Sequence, residues 1–301
     1  MQKIAVLMST YNGEKYLREQ IDSILKQEGD LDISIIVRDD GSSDGTKGIL
    51  DEYKDKGKLC WYSGPNMGPA GSFIDLVKKD PGFDYYAFAD QDDVWCSDKL
   101  SRAVEKIGAD TPFVYCANAR LVGPSLEYLG RSVYKSAPAT DLSTLSIAGG
   151  ILGCTMVFND ALAKIIRDHD APSKMVMHDF LVCELCLAVG GKVIFDDHDS
   201  INYRQHGNNT VGVSRGLAGK VKERLKDITT KAKVSTAEQA SELLRIYGSL
   251  IPEENRAWLQ RVSCYRDSFG KRLSLALTGK TKYASKNSAF KLRGALLFGN
   301  R

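Results

Sequence analysis

Three carboxylates within four residues, Asp90, Asp92 and Asp93, are the part of this sequence best suited to chemistry. They directly follow the apolar run Tyr85–Ala89, which has the length and composition of a buried strand. Because carboxylates repel one another and resist burial, such a cluster needs a cation or solvent beside it. Mg²⁺ and Mn²⁺ prefer oxygen ligands and are commonly shared with substrate phosphates. The cluster therefore predicts a metal–phosphate site, with a solvated acidic turn as the alternative.

A second acidic pair, Asp39 and Asp40, follows the apolar run 33–38. Strand-like apolar runs alternate with segments of helical spacing over residues 4–89, which is typical of an α/β protein with a doubly wound, mainly parallel sheet. In such sheets ligands bind where the carboxyl ends of the strands meet. We therefore expect both acidic clusters at one crevice, one for a nucleoside and the other for its phosphate-bound metal.

Several signatures of other enzyme classes are missing from the sequence. No GxGxxG follows the first strand and no Walker lysine loop is present. These absences argue against dinucleotide-binding and P-loop enzymes. A GxSxG elbow is missing as well, which argues against an α/β-hydrolase.

Charge divides the chain into two parts. Residues 1–214 carry 22 Lys and Arg against 31 Asp and Glu, a net charge of −9, whereas residues 215–301 carry 19 against 7, a net charge of +12. A basic segment on an acidic body indicates an anionic partner surface; a merely solvated helical appendage is the alternative. We predict an α/β domain over 1–214 and a basic helical region over 215–301.

Local patterns add further elements to this division. A Ser-, Ala- and Thr-rich stretch at 131–148 predicts a loop over the active face. The sequence Ser235-Thr236-Ala237-Glu238 resembles a helix capping box, and Pro252 stands where a helix can begin. Helical spacing predicts helices at 221–228, Thr236–Tyr247, 253–265 and 290–298.

The expected cellular location follows from composition. No apolar run approaches the roughly 20 residues of a membrane-spanning helix, and the first apolar run is too short for a signal peptide. Seven cysteines at scattered spacing indicate reduced thiols. We predict a cytoplasmic protein that lies peripherally at the inner face of the plasma membrane.

The motifs together resemble the family 2 glycosyltransferases, which have a GT-A type fold. The resemblance covers roughly residues 3–212 and is specific because several weak motifs occur in the expected order. The HD and YRQHGNN segments look most like the bacterial rhamnosyltransferase-type subgroup of surface-polysaccharide synthesis. The motifs lie at 9–17, 38–46, 66–68, 89–95 with Lys99 and Leu100 downstream, 178–180 and 203–209.

The resemblance implies an inverting, metal-dependent enzyme that moves one sugar by direct displacement. Asp179 would be the base that takes the acceptor proton. Asp92 of the DxD motif, with His206, would hold Mn²⁺ or Mg²⁺ against the diphosphate. The nucleotide sugar would be bound by Thr10, Tyr11, Asn12, Asp39, Asp40, Asp90, Gln91 and Asp92. The acceptor or sugar side would be formed by Asp93, Trp95, His178 and Arg204.

Each role has a structural alternative. Asp179 could be a helix N-cap, and His178 could orient that carboxylate or only cap locally. His206 could bond within a loop, Trp95 could belong to the core, and Arg204 could be structural. Asp93 could shape the turn.

The expected donor is dTDP-L-rhamnose or a UDP-hexose, and the expected acceptor is a saccharide linked to a lipid carrier. The basic tail predicts contact with an anionic membrane; we expect no nucleic acid, and a homodimer is left open. A non-catalytic nucleotide-sugar or glycan binding module and a nucleotidyltransferase are the competing functions. The complete acidic set with Asp179 disfavours the first, and the missing phosphate loop disfavours the second.

Overall fold

The computed structural model describes residues 1–79, 82–206, 234–282 and 286–300. They form two compact units, each assembled from separate stretches of chain. The first unit contains residues 1–135, 152–169 and 192–206, and the second contains 136–151, 170–191 and the C-terminal helices. The expected boundary at 214/215, the predicted helix 221–228 and the end of the YRQHGNN segment lie outside the described residues and stay predictions.

All described strands belong to the first unit and form one nine-stranded sheet in the order β3-β2-β1-β4-β8-β6-β9-β5, with β7 paired to β6. The pairs of β1 with β2, β1 with β4, and β2 with β3 are parallel. The strands are β1 (Gln2–Thr10), β2 (Leu31–Asp39), β3 (Cys60–Ser63), β4 (Tyr85–Ala89), β5 (Val94–Trp95), β6 (Phe113–Val122), β7 (Tyr128–Ser132), β8 (Val157–Asn159) and β9 (Lys192–Arg204).

The predicted α/β architecture is confirmed, and the sheet is parallel over its first four strands. Beyond β4 the sheet is mixed, because β8 runs antiparallel to both β4 and β6. An apolar run identifies a strand but not its direction, which depends on the connection that precedes it. Here a short 3-10 turn at Gly153–Thr155 leads into β8.

Five helices accompany the sheet in the first unit. Strands β1 and β4 are buried along their apolar stretches, and α1 places Leu17, Ile21 and Ile24 in the same core at helical spacing. This burial holds the carboxyl ends of β1, β2 and β4 in fixed positions. The helices are α1 (Leu17–Ile24), α2 (Thr46–Asp55), α3 (Gly68–Lys79), α4 (Lys99–Lys106) and α6 (Asp160–Arg167).

The second unit is helical over its described residues. The predicted capping box is confirmed, since Ser235 and Glu238 bond each other's backbone amides. The prediction of a loop at 131–148 holds for residues 133–141. It is wrong for 142–148, where Asp141 accepts from the Thr144 amide and starts a helix. Its helices are α5 (Leu142–Ala148), α7 (His178–Ala188), α8 (Thr236–Tyr247), α9 (Glu253–Ser263), α10 (Phe269–Ala276) and α11 (Lys286–Phe298).

Candidate active site

The carboxyl ends of β1, β2 and β4 meet at one edge of the sheet. In the parallel register Thr10 is opposite Asp39, and Met8 is opposite Ala89, the residue before Asp90. The two acidic clusters therefore follow strands that flank the same central strand. This arrangement agrees with the crevice expected from the sequence.

Gln91 fastens the end of β1 to the acidic turn after β4. Its Oε1 accepts from Thr10 Oγ1 at 2.6 Å and from the Tyr11 amide at 2.8 Å, while its Nε2 donates to the Tyr11 carbonyl at 3.1 Å. A Cβ on Gly13 would lie 2.3 Å from Gln91 Oε1, so glycine is needed for this close approach. Three sequence-predicted residues, Thr10, Tyr11 and Gln91, are thus joined directly.

Asn12 and Asp39 organise the loop after β2. Asn12 adopts a φ of 50°, and its Oδ1 accepts from the Ser43 amide at 2.9 Å. The Asp39 carboxylate is fully buried and accepts from the Ser42 amide at 3.1 Å and from Ser63 Oγ at 3.1 Å. These bonds hold the loop in a defined shape beside Thr10.

Asp40 is buried in a dense set of hydrogen bonds. It forms an ion pair with Arg38, itself buried, and accepts from the amides of Met67 and Gly68 at 2.9 Å each. Burial alone would raise the pKa of Asp40, but the Met67 amide and the Arg38 guanidinium outweigh it and lower that pKa. The carboxylate is therefore fully ionised and stabilised by the protein itself.

Asp92 and His206 form the pair most able to hold a metal ion. Asp92 Oδ2 lies 2.7 Å from His206 Nε2, and the two side chains are only 17% and 16% exposed. The imidazole also packs 5.2 Å from the ring of Tyr16, centroid to centroid. A carboxylate oxygen and an imidazole nitrogen are both suitable ligands for Mn²⁺, so the residues fit the metal that the sequence predicts.

Arg204 connects the acidic turn to the rest of the first unit. Its guanidinium is buried and donates to the Asp92 carbonyl at 2.8 Å and to Glu19 at 2.6 Å. It also lies over the Tyr16 ring, 4.3 Å from the centroid. Burial and these bonds favour the alternative that Arg204 is structural. Its role on the acceptor or sugar side stays a prediction.

Asp93 also turns inward. It is completely buried, and its Oδ1 accepts from the Arg204 amide at 3.1 Å, whereas Oδ2 has no hydrogen-bond partner among the described residues. Burial and the charges of Asp92 and Asp90 raise the pKa of Asp93 well above its usual range. Its burial and the bond to the Arg204 amide favour the alternative that Asp93 shapes the turn. A role of Asp93 on the acceptor or sugar side stays a prediction.

Lys99 is a buried cation below the acidic turn. Its side chain is completely buried, and Nζ lies 3.4 Å from the centroid of the Trp95 ring. Burial lowers the pKa of Lys99 to about 7, while neighbouring acidic groups, Asp93 and Asp90 among them, act in the opposite direction. Trp95 is only 4% exposed and belongs to the hydrophobic core. This burial favours the alternative that Trp95 belongs to the core, and its role on the sugar side stays a prediction.

A second group of possible ligands fits a metal poorly. Ligand atoms of Asp90, Asp93 and Cys154 lie within 4.8 Å of one another. Burial raises the pKa of Cys154, and the charges of Asp93 and Asp90 raise it further, so its thiol keeps the proton. Lys99 also opposes a metal there whenever its amine is protonated. Asp92 and His206 are the better pair.

Asp179 and His178 belong to the second unit, at the start of α7. The N-cap of this helix is Met177, so the alternative that Asp179 serves as the N-cap is wrong. Asp179 stands in the first turn and accepts from the Phe180 amide at 2.6 Å. His178 is buried, and burial lowers its pKa to about 3, so its imidazole is neutral at physiological pH. The proposed roles of both residues stay predictions.

Sequence reasoning missed two partners that hold the site together. Tyr16 contacts both His206 and Arg204, and Glu19 pairs with Arg204. Both belong to the segment around α1, where the helical spacing of apolar residues predicted only which positions face the core. A polar residue on a helix gives no sequence signal of a partner that is 185 positions away.

Comparisons with solved structures define the fold. Residues 1–349 of TarS from S. aureus, in complex with UDP-GlcNAc, align with a TM-score of 0.57 at 20% identity, covering 99% of this chain and 82% of that one. The mannosyltransferase PcManGT from Pyrobaculum calidifontis, in complex with GDP-Man and Mn²⁺, aligns with a TM-score of 0.56 at 16% identity, covering 98% and 74%. The fold is that of the GT-A glycosyltransferases.

The sequence comparisons identify the family. Residues 5–166 match the model of glycosyl transferase family 2. The dTDP-rhamnosyl transferase RfbG of Shigella flexneri is 32% identical over 232 residues, which is 71% of this chain and 77% of that protein. The chain belongs to glycosyl transferase family 2 and is a glycosyltransferase, which confirms the resemblance found in the sequence.

A more distant relative and the helices complete this description. A Campylobacter jejuni protein named GalNAc(5)-diNAcBac-PP-undecaprenol beta-1,3-glucosyltransferase is 30% identical over 142 residues, 46% of this chain and 45% of that protein. Within the part of the chain that the structure describes, no helix has the length and apolarity needed to cross a membrane.

Proposed function

We propose that this protein is an inverting, metal-dependent glycosyltransferase that moves one sugar from a nucleotide-activated donor to a saccharide on a lipid carrier. The observation that carries the proposal is the Asp92–His206 pair, with its 2.7 Å contact, at the edge where the acidic strand ends meet. Family membership supplies the reaction class. The pair supplies ligands where a sugar diphosphate would need a cation.

Asp92 and His206 would hold Mn²⁺ or Mg²⁺. When bound, the metal would stabilise negative charge on the departing nucleoside diphosphate. The complex of PcManGT with Mn²⁺ supports this choice by similarity of fold. Arg204 keeps the Asp92 backbone in place through its carbonyl, so the ligand has a fixed position before any donor arrives.

Thr10, Tyr11, Asn12 and Asp39 would receive the nucleoside part of the donor. Their loops are already fixed by bonds to Gln91, Ser42 and Ser43. Preorganised loops lose little conformational freedom on binding, which favours affinity. The similarity to a dTDP-rhamnosyl transferase supports dTDP-L-rhamnose as the donor, with UDP-hexoses as the alternative.

Asp179 would take the proton from the acceptor hydroxyl as that oxygen attacks the anomeric carbon. Direct displacement needs one base and no enzyme nucleophile, which agrees with a single carboxylate in this role. The undecaprenol-linked substrate in the name of the Campylobacter relative supports a lipid-linked acceptor. We place the reaction at the inner face of the plasma membrane.

Replacing Asp179 with asparagine tests the base. We expect transfer to fall by about 10²–10⁴-fold while donor binding, measured by calorimetry, stays unchanged. Asp170→Asn, which alters an exposed carboxylate of the second unit, is the matched control and should keep full activity. Full transfer by Asp179→Asn would contradict the assignment.

Replacing Asp92 with asparagine tests the metal site. Binding of Mn²⁺ alone should weaken at least about tenfold, as measured by electron paramagnetic resonance, and transfer should fall by about 10²–10³-fold because charge on the leaving group loses stabilisation. Chelation with EDTA should stop turnover, and added Mn²⁺ should restore it. A rate that is unchanged in EDTA would contradict metal dependence.

A further inference from the structure

The last 34 residues of the chain have an unusual charge. Residues 268–301 contain eight Lys and Arg and no Asp or Glu. The described part of this segment includes α10 and α11, two helices that contact each other. Arg266 Nε also donates to the Gly299 carbonyl at 2.8 Å and ties the end of the chain to the start of the pair. The described part of the segment is therefore a folded basic element.

Apolar side chains are exposed on this same element. Phe269, Leu273 and Leu277 follow one another at intervals of four residues, so they form a stripe along one face of α10 and its C-terminal cap. Their exposed fractions are 66%, 38% and 63%. Leu275, on the opposite face, is buried, as is Ala276. The stripe is therefore not needed to hold the helix in place.

The second helix of the pair, α11, also has both buried and exposed apolar side chains. Leu292 and Leu296 are buried, whereas Phe290 and Phe298 are 75% and 67% exposed. Among the described residues, only Met1 exceeds these two phenylalanines in exposure among large apolar side chains. Exposed aromatic residues grouped on a folded element mark an interaction surface.

We infer that α10 and α11 form a docking surface for an anionic lipid bilayer, with the stripe Phe269, Leu273 and Leu277 inserted between headgroups. Aromatic and leucine side chains on a cationic helix are the combination that partitions into the membrane interface. The exposed Lys280 and Lys282 follow the stripe directly. Clusters of lysine and arginine bind anionic lipids electrostatically.

A second copy of the chain is the less favourable occupant. Two such surfaces facing each other would bring together two segments with only positive side-chain charges after Asp267, and like charges at an interface cost affinity. An anionic bilayer offers both the opposite charge and an apolar layer. This inference stands on the C-terminal helices alone, and it can fail while the proposed transferase activity holds.

Two triple variants of the full chain test the surface with phosphatidylglycerol-containing vesicles in a co-sedimentation assay. Phe269→Ser, Leu273→Ser and Leu277→Ser together should weaken binding roughly tenfold. Lys271→Glu, Lys280→Glu and Lys282→Glu together should weaken it roughly 100-fold at low salt. Both should keep the wild-type melting temperature, since these side chains are exposed.

Matched controls make the same chemical changes elsewhere. Lys26→Glu, Lys54→Glu and Lys58→Glu alter three exposed lysines of the first unit, and Leu250→Ser alters an exposed leucine of the second; both should bind vesicles like the wild type. Equal binding of the wild type to phosphatidylglycerol and phosphatidylcholine vesicles would overturn the inference. Normal vesicle binding by the stripe variant would also overturn the inference. If that variant binds vesicles normally but changes from a dimer to a monomer in light scattering, the surface is an interface between two copies of the chain instead.

Discussion

Asp40 and Asp93 are both buried carboxyl groups in acidic clusters at strand ends, yet their environments shift their pKa values in opposite directions. Asp40 pairs with Arg38 and accepts two backbone amides, and its pKa is lowered. Asp93 accepts one amide, faces Asp90 and Asp92, and its pKa is raised. The cluster after β2 is thus satisfied by the protein, whereas the cluster after β4 keeps unbalanced charge.

This difference shows how one sheet edge can combine a fixed frame with a reactive centre. The Asp40 cluster uses its charge to fix the loop at Met67 and Gly68. In the cluster after β4, the charges of Asp90 and Asp92 act on the buried Asp93, and Lys99 is an internal counter-charge. Clustered carboxylates at a strand end therefore mark a metal site only probabilistically, and their surroundings distinguish a structural cluster from a candidate metal site.

The largest effect is expected when the satisfied cluster is broken. Asp40→Asn removes the buried anion beside Arg38 and should lower the free energy of unfolding by about 3 kcal/mol, because the buried guanidinium is left with only the partly exposed Asp75 as its counter-charge. Urea unfolding measures this change.

The matched control is Asp75→Asn. Its carboxylate bonds the same guanidinium at 3.0 Å but is 27% exposed, so the loss should be about 1 kcal/mol. If Asp40→Asn and Asp75→Asn lose the same unfolding free energy, then Asp40 is not the main counter-charge of Arg38. The contrast between Asp40 and Asp93 would then disappear.

A double-mutant cycle on the other cluster is expected to give a smaller effect. If Lys99 offsets the charge of Asp93, then Asp93→Asn and Lys99→Met should show a coupling of about 2 kcal/mol, with the double variant more stable than the two losses predict. Unfolding at pH 6 measures the coupling while the ammonium, with its pKa of about 7, carries its proton. The control is Asp110→Asn, which alters an exposed carboxylate; its effect on the unfolding free energy should simply add to that of Lys99→Met. If the effects of Asp93→Asn and Lys99→Met also add, then Lys99 does not offset the charge of Asp93.

The sequence predicted the parts of the fold that depend on local pattern. The limits of β4 agree residue for residue with the apolar run, and those of α8 agree with its capping box and helical spacing. The acidic strand ends were also located correctly, since strand order follows from β-α-β connections. Local patterns determine these features because each depends on neighbours within about one helical turn.

The roles of individual side chains in the site were harder to predict. Trp95, Arg204 and Asp93 stand in the right motifs but point into the protein, and nothing in a linear motif states which way a side chain turns. The bonds of Arg204 to Glu19 and Asp92 span 185 and 112 positions. Such partners are fixed by tertiary packing, which outweighs any local signal.

Glu184 extends the comparison to a buried carboxyl group of the second unit. It lies on α7, is fully buried, and accepts from Gln239 Nε2 at 2.7 Å. Burial raises its pKa from 4.5 to about 8, so the folded protein binds a proton that the unfolded chain releases between these values. The free energy of unfolding should therefore fall as the pH rises through that window.

Glu184→Gln should remove this pH dependence of the unfolding free energy. Its effect is expected to be smaller than that of Asp40→Asn and than the coupling between Asp93 and Lys99. Between pH 6 and pH 7 the wild type should lose about 1 kcal/mol more unfolding free energy than the variant, because one proton is exchanged per unfolding event. The glutamine can still accept from Gln239, so the packing is retained. Urea unfolding across this range measures the difference. Parallel profiles would show that Glu184 is ionised in the folded protein, as Asp40 is, and that burial with one amide donor suffices to keep a carboxylate charged.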